Sequence, residues 1–195
     1  MTQANPDIQY LLDRAAIHDL HVRYYHGIDI GNVDQVRSCF TTGIVAHYHG
    51  RASVRGIDDL IKSIPSFGKQ ASGEWKISTH FMGNLNYKSI EGDVAETEVN
   101  AFAFLVLTDG PADRVAMRSL RYLDRLVRVE GKWRISERMH TLDWACDVPT
   151  TFATKLAEHP CVLEARLFGV SKMRVLRTML GHLRLLAAVL FFRVR

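Results

Sequence analysis

The stretch STHFMGNLNY, residues 78–87, alternates like a strand. Ile77, Thr79, Phe81, Leu85 and Tyr87 share one parity, and Ser78, His80, Met82, Asn84 and Asn86 share the other. This sets an imidazole, His80, on the more polar face. Imidazole titrates near neutrality, so it can accept a proton at pH 7. It does so best when a carboxylate bonds its second nitrogen, which fixes the tautomer and stabilises the imidazolium. Such a site also needs a group for charge that develops elsewhere on the substrate. A phenol polarises a carbonyl, and a guanidinium stabilises an oxyanion or binds a carboxylate. No activated Ser or Cys, phosphate-binding Gly-rich loop or cofactor fingerprint is evident, which leaves proton transfer without a cofactor.

His47 and His49 form an H-x-H pair. Period two would put both imidazoles on one face of a strand, as a metal pair needs. No third ligand is evident, so no metal is assigned.

These residues need elements to hold them. Ile8, Leu11, Leu12, Ala15, Ile17, Leu20, Tyr24 and Ile28 predict a helix over 7–28, started by Asp7 after Pro6 and stopped by Asp29-Ile30-Gly31-Asn32. Asn32 reads as the cap of a second short helix with Gln35 as its box partner and Val33, Val36 and Phe40 as its stripe. Residues 44–55 read as a hairpin turned near Gly50-Arg51. Ile57, Leu60, Ile61 and Ile64 predict a third helix over 57–64, ending at Pro65. The stretch 66–74 reads as a loop. Strands follow over about 76–88, 93–107, 114–129 and 132–144, joined by turns at Glu91-Gly92-Asp93 and Glu130-Gly131 and by a longer loop at Asp109-Gly110-Pro111. Helices first and an antiparallel meander after argue an α+β fold, with helices on one face of a curved sheet and an apolar cleft where they diverge.

The runs LLDRAAIHDLHVRYYHGIDIGN, THFMGNL and YLDRLVRVEGKWRISERM, in this order, resemble the SnoaL-like branch of the nuclear transport factor 2-like superfamily. The resemblance covers roughly residues 5–150. It implies a cone-shaped barrel: a curved antiparallel sheet wrapped on a long N-terminal helix and two short helices, around an apolar pocket. In dehydratase and dehydrochlorinase members, an Asp after the first helix pairs with a His on the strand after the third helix, and Asp29 and His80 fall on those positions. Tyr24, five residues before the Asp, matches a Tyr of bile acid 7α-dehydratase; the hexachlorocyclohexane dehydrochlorinase has Lys there. Arg138, after Gly131-Lys132-Trp133, matches an Arg of both. Tyr48 falls where scytalone dehydratase has a substrate-facing Tyr. Asn84, on the parity of His80, and Phe102, on the next strand where some dehydratases carry a further acid or His, are the remaining pocket candidates.

The resemblance implies a cofactor-independent lyase, a dehydratase, acting on a small apolar cyclic substrate such as a steroid, polyketide or aromatic-pathway intermediate. His80 would be the base, Asp29 its orienting group, and Tyr24 and Arg138 the assisting groups. A double-bond isomerase, a polyketide cyclase and a non-catalytic scaffold like a ring-hydroxylating dioxygenase β subunit share the cone and stay open. Plainer roles stand beside each residue: Asp29 as a helix stop, His80 bonded to backbone, Tyr24 in the core and Arg138 in a solvated salt bridge. A filled cone would favour the scaffold.

Composition bounds the partners. The chain has 25 Lys/Arg against 21 Asp/Glu over 195 residues. Seven of the bases and one of the acids lie from Pro160 onward, so the first 159 residues carry 18 and 20. The body is near neutral, and a nucleic-acid footprint is not expected. Residues 151–195 read as a basic amphipathic tail, with Met173, Leu176, Leu180, Leu183, Ala187 and Leu190 at helical spacing among Lys172, Arg174, Arg177 and Arg184. Such a helix suits an anionic membrane surface, a partner subunit or its own domain. A homo-oligomer, dimer or trimer, is expected. Three cysteines without metal-like spacing and no visible secretory signal lead to an expected cytoplasmic location.

Overall fold

The computed structural model describes residues 6–109 and 112–149. The tail expected from residue 151 lies outside the described residues. The long helix forms as α1, Pro6–Asp29. Its buried stripe, Asp13, Ile17, Leu20, His21, Tyr24 and Ile28, keeps helical spacing. It starts later than the apolar pattern suggests, because Ile8, Leu11 and Leu12 are exposed. The first half of α1 is held by polar contacts instead. Asp13 accepts hydrogen bonds from Trp133 Nε1 at 3.2 Å and from Arg128 Nη2 at 2.7 Å. The Trp of the Gly-Lys-Trp turn is thus an anchor for the helix.

α1 ends at Asp29, and Gly31 takes φ 68°, a left-handed conformation that suits Gly. The Asn32 N–H donates to Gly27 O at 2.8 Å, and Asn32 Oδ1 accepts from the Gln35 N–H at 2.9 Å. This caps α2, Val33–Arg37. Phe40, expected on the stripe of that helix, instead opens strand β1, Phe40–Tyr48, because the helix closes at Ser38. β1 pairs antiparallel with the two-residue β2, Val54–Arg55, as the expected hairpin. Next comes α3, Ile57–Ser63. The stretch read as a loop forms α4, Pro65–Ala71. Pro65 both ends α3 and begins α4, since its fixed φ and missing N–H suit a first helical turn.

Four long strands follow: β3 Trp75–Glu91, β4 Val94–Asp109, β5 Ala112–Val129 and β6 Lys132–Pro149. They form an unclosed six-stranded sheet in the order β2-β1-β6-β5-β4-β3. The sheet is mixed rather than wholly antiparallel, because β1 runs parallel to β6, with Tyr48 opposite His140. The inward face of β4 carries Ala95, Val99, Ala101 and Ala103, all buried. These short side chains leave room for Leu20, Tyr24 and Ile28 of α1.

Two bulges decide which side chains face in. In β3 the register shifts between Met82 and Leu85. Ser78, His80 and Met82 therefore share the inner face with Leu85 and Tyr87 despite opposite parity, and Phe81 is 60% exposed. Gly83 suits this bulge, since a Cβ there would lie 3.0 Å from Asn100 O. In β6 the register shifts opposite Arg125 and Leu126, so Ile135 and Arg138 both face inward. No described helix is long and apolar enough to cross a membrane.

Gly27 sets the approach of α1 to α2: a Cβ there would lie 2.8 Å from Val36 Cγ2 and 3.3 Å from Gln35 Cγ. Gly27→Leu should destabilise the fold by about 1–3 kcal/mol through overpacking. A lowered urea midpoint with an unchanged slope is the expected reading.

Candidate active site

His80 and Asp29 meet although 51 residues separate them. His80 Nδ1 lies 2.6 Å from Asp29 Oδ1. The same carboxylate accepts the His80 backbone N–H at Oδ2, 2.8 Å, and the Ser78 hydroxyl at Oδ1, 3.0 Å. Asp29 thus holds both backbone and ring of His80, and Ser78 holds Asp29. Ser78 is a contributor the sequence analysis missed; its signal was its place two residues from His80 on the inner face. The side chains of His80 and Asp29 are 9% and 18% exposed. Tyr25 stacks on the imidazole, centroids 5.8 Å apart and planes at 25°.

His80 lines a cavity of about 280 Å³ between the sheet, the end of α1 and the α3–α4 segment. With Nδ1 engaged by Asp29, Nε2 is the ring nitrogen left for a substrate. Tyr24 and Tyr48 also line the cavity, and their hydroxyls lie 3.5 Å apart. Tyr122 and His140 complete this wall; the His140 ring is 5.1 Å from that of Tyr48 and 4.9 Å from that of Tyr122. Burial pushes the hydroxyls of Tyr24, Tyr25 and Tyr122 well above the ordinary phenol range, so they remain hydrogen-bond donors at neutral pH. Burial lowers His140 to about 4, helped by the nearby Arg138 charge, so its imidazole stays neutral.

Arg138 is placed beneath this wall, not on the cavity lining. It is 1% exposed and pairs with buried Asp124 through Nε at 2.8 Å and Nη2 at 2.6 Å. Its guanidinium lies 4.2 Å from the ring centroid of Tyr24 and 4.7 Å from that of Tyr122. Burial alone lowers its pKa, but the charge and hydrogen bonds of Asp124 raise it well above the usual guanidinium value. Arg138 therefore supports the tyrosines by cation–π contact. His21, fully buried, lies 3.8 Å from Asp124 Oδ2 and 3.3 Å from Thr97 Oγ1. Burial lowers His21 to about 4, against the pull of Asp124.

Two pocket candidates fall elsewhere. Asn84 is exposed within the β3 bulge, which breaks the parity on which it was placed with His80. Phe102 is 43% exposed on the outer face, where its ring lies 5.8 Å from that of Trp144; the inward positions beside it are Ala101 and Ala103. His47 and His49 do not act as a pair either. β1 ends at Tyr48, His47 bonds Ser53 Oγ at 2.6 Å, and His49 lines the cavity. No cluster of three potential metal ligands forms among the described residues.

A long helix packed on a curved, unclosed sheet is the cone fold of nuclear transport factor 2-like proteins, and here an Asp–His pair stands at the cavity between them. The SnoaL-like domain profile matches residues 9–139, and the chain belongs to that family. No curated protein matches the sequence. Among solved structures, a scytalone dehydratase-like protein from Novosphingobium aromaticivorans is 17% identical, over 76% of this chain and 93% of that one, with a TM-score of 0.62. The hexachlorocyclohexane dehydrochlorinase LinA-type3 from Novosphingobium barchaimii is 19% identical over 73% and 94%, at 0.61. A nuclear transport factor 2-like protein with a cystatin-like fold, also from N. aromaticivorans, is 23% identical over 70% and 86%, at 0.54. At these identities the likeness is one of fold.

The buried groups generate two expectations. Asp124→Asn should cost about 3–5 kcal/mol, because it strands the Arg138 charge, whereas the double change Asp124→Leu/Arg138→Met should cost less. Urea unfolding of the three proteins measures this. His21 and His140 stay neutral in the fold down to pH of about 4, yet each would take a proton near pH 6.5 once unfolded. Between these values the unfolded chain binds more protons, so stability is full above pH 6.5 and falls as pH drops toward 4, by up to about 1.4 kcal/mol per unit for each histidine. Urea midpoints across this range should fall less steeply in His21→Asn.

Proposed function

We propose that this protein is a cofactor-independent lyase that dehydrates a small cyclic substrate bound in the cavity. The observation that carries the reading is the Asp29-held imidazole of His80 on the wall of a cavity of about 280 Å³. A scaffold cone has no use for either. His80 Nε2 takes a proton from a carbon next to an electron-withdrawing group. The C–H electrons form the new double bond as the carbon–hydroxyl bond breaks, and the departing hydroxyl takes that proton back from the His80 imidazolium and leaves as water, which restores the neutral base. Asp29 stabilises the imidazolium formed on the way. The Tyr24 and Tyr48 hydroxyls donate to the substrate oxygen on which negative charge grows. Arg138 acts through Tyr24, which it holds in place and polarises from below. The family membership and the dehydratase and dehydrochlorinase neighbours fit this chemistry.

His80→Ala should lower kcat by about 10²–10⁴, the usual contribution of a general base. Asp29→Asn should lower it similarly while preserving the fold by circular dichroism. Phe102→Leu, on the outer face, should leave turnover unchanged. Steady-state assays on dehydration substrates check the set, and near-normal turnover by His80→Ala removes the reading.

A further inference from the structure

The charge of the cavity goes beyond the apolar substrate expected from the sequence. Three basic residues, Arg51, Lys69 and Arg118, and three histidines line it, and no Asp or Glu does so among the described residues. Two of the bases are engaged. Lys69 Nζ lies 2.6 Å from Glu74 Oε1, and Arg51 Nη1 donates to Ser63 O at 3.0 Å. Arg118 differs. It makes no ion pair or side-chain hydrogen bond with the described residues, and its Nε is buried without a partner. A buried N–H left unpaired is unfavourable, and a guanidinium fork accommodates a carboxylate in two parallel hydrogen bonds.

Its position relative to His80 is fixed by register. His80 pairs with Ala103, and Ala103 pairs with Arg118. The three share one row across β3, β4 and β5. Strands lie about 4.8 Å apart, so the His80 and Arg118 backbones are about 10 Å apart. The residue between them in that row is Ala103, whose side chain is a single methyl group. The gap suits one or two rings, with a proton-accepting nitrogen at one end and an anion-accepting fork at the other.

We propose that the cavity takes an organic acid and that Arg118 binds its carboxylate, with the ring system lying over Ala103 toward His80. This rests on the cavity being the substrate site, and narrows the substrate class from small cyclic compounds to cyclic carboxylic acids. The rest of the cavity fits this class: Leu105, Leu120 and Leu142 receive the apolar body, and among the described residues the nearest carboxylates, Asp29 and Glu74, lie behind the lining, bonded to His80 and Lys69.

The test is binding rather than turnover, so it can fail separately from the dehydratase reading. Isothermal titration calorimetry would compare 2-naphthoate with 2-naphthamide, which match in size and differ in charge. The full-length protein should bind the acid at least about tenfold more tightly, as expected for charge-assisted hydrogen bonds. Arg118→Met should abolish this preference, and Arg118→Gln provides a second neutral variant should the first misfold. His80→Ala should keep the preference, because it removes the base and not the fork. Equal or tighter binding of the amide, no binding of either probe at millimolar concentration, or a preference that survives both Arg118 variants would overturn the proposal.

Discussion

The geometry of the site depends on one connection: the C-terminal end of a helix must deliver a carboxylate to a strand that begins 46 residues later. Asp29 makes three contacts there, with the His80 ring, the His80 backbone and the Ser78 hydroxyl. The backbone contact matters most for geometry, because it fixes the height of the strand against the helix end. Around it the chain is tightly clipped. Asn32 caps α2 and bonds back to Gly27, while Gln70 of α4 donates to Ile28 O at 3.1 Å. The turn after α1 is thereby held from two directions, so Asp29 is positioned before any ligand arrives.

A second constraint lies under the cavity. A charged pair, Arg138 with Asp124, sits where neither group reaches water. Isolated burial of either would be costly, and their bidentate contact offsets much of that cost. The guanidinium also meets the faces of Tyr24, Tyr122 and Phe40. The pair therefore orders the aromatic wall from behind, and the wall presents phenol hydroxyls to the cavity in front. Stability and site geometry are coupled through these few residues.

The elements were largely legible in the sequence, because helical spacing in α1 and long alternation from β3 onward are strong local signals. Asp29 and His80 were legible only through the order of three motifs, since no local pattern brings residue 29 to residue 80. Side-chain direction was harder to read. Strict alternation from Trp133 and Ile135 would turn Arg138 outward, yet the β6 bulge turns it in, beside His140. The β3 bulge did the opposite to Asn84. Arg118 was invisible for another reason: an arginine in an arginine-rich strand reads as solvated surface, and only the inward run of Ala116, Leu120 and Tyr122 on β5 shows its direction.

The central claim is that the Asp29 carboxylate holds the His80 imidazole with its proton on Nδ1, leaving Nε2 bare toward the cavity. Side-chain ¹⁵N NMR of histidine-labelled protein near pH 7.5 reads this directly, with His80→Gln assigning the resonances. The account predicts that His80 shows a protonated Nδ1 and an unprotonated Nε2, and that Asp29→Asn shifts the proton toward the other tautomer or a mixture. A proton resident on Nε2 in the unaltered protein, or a tautomer indifferent to Asp29→Asn, would contradict it.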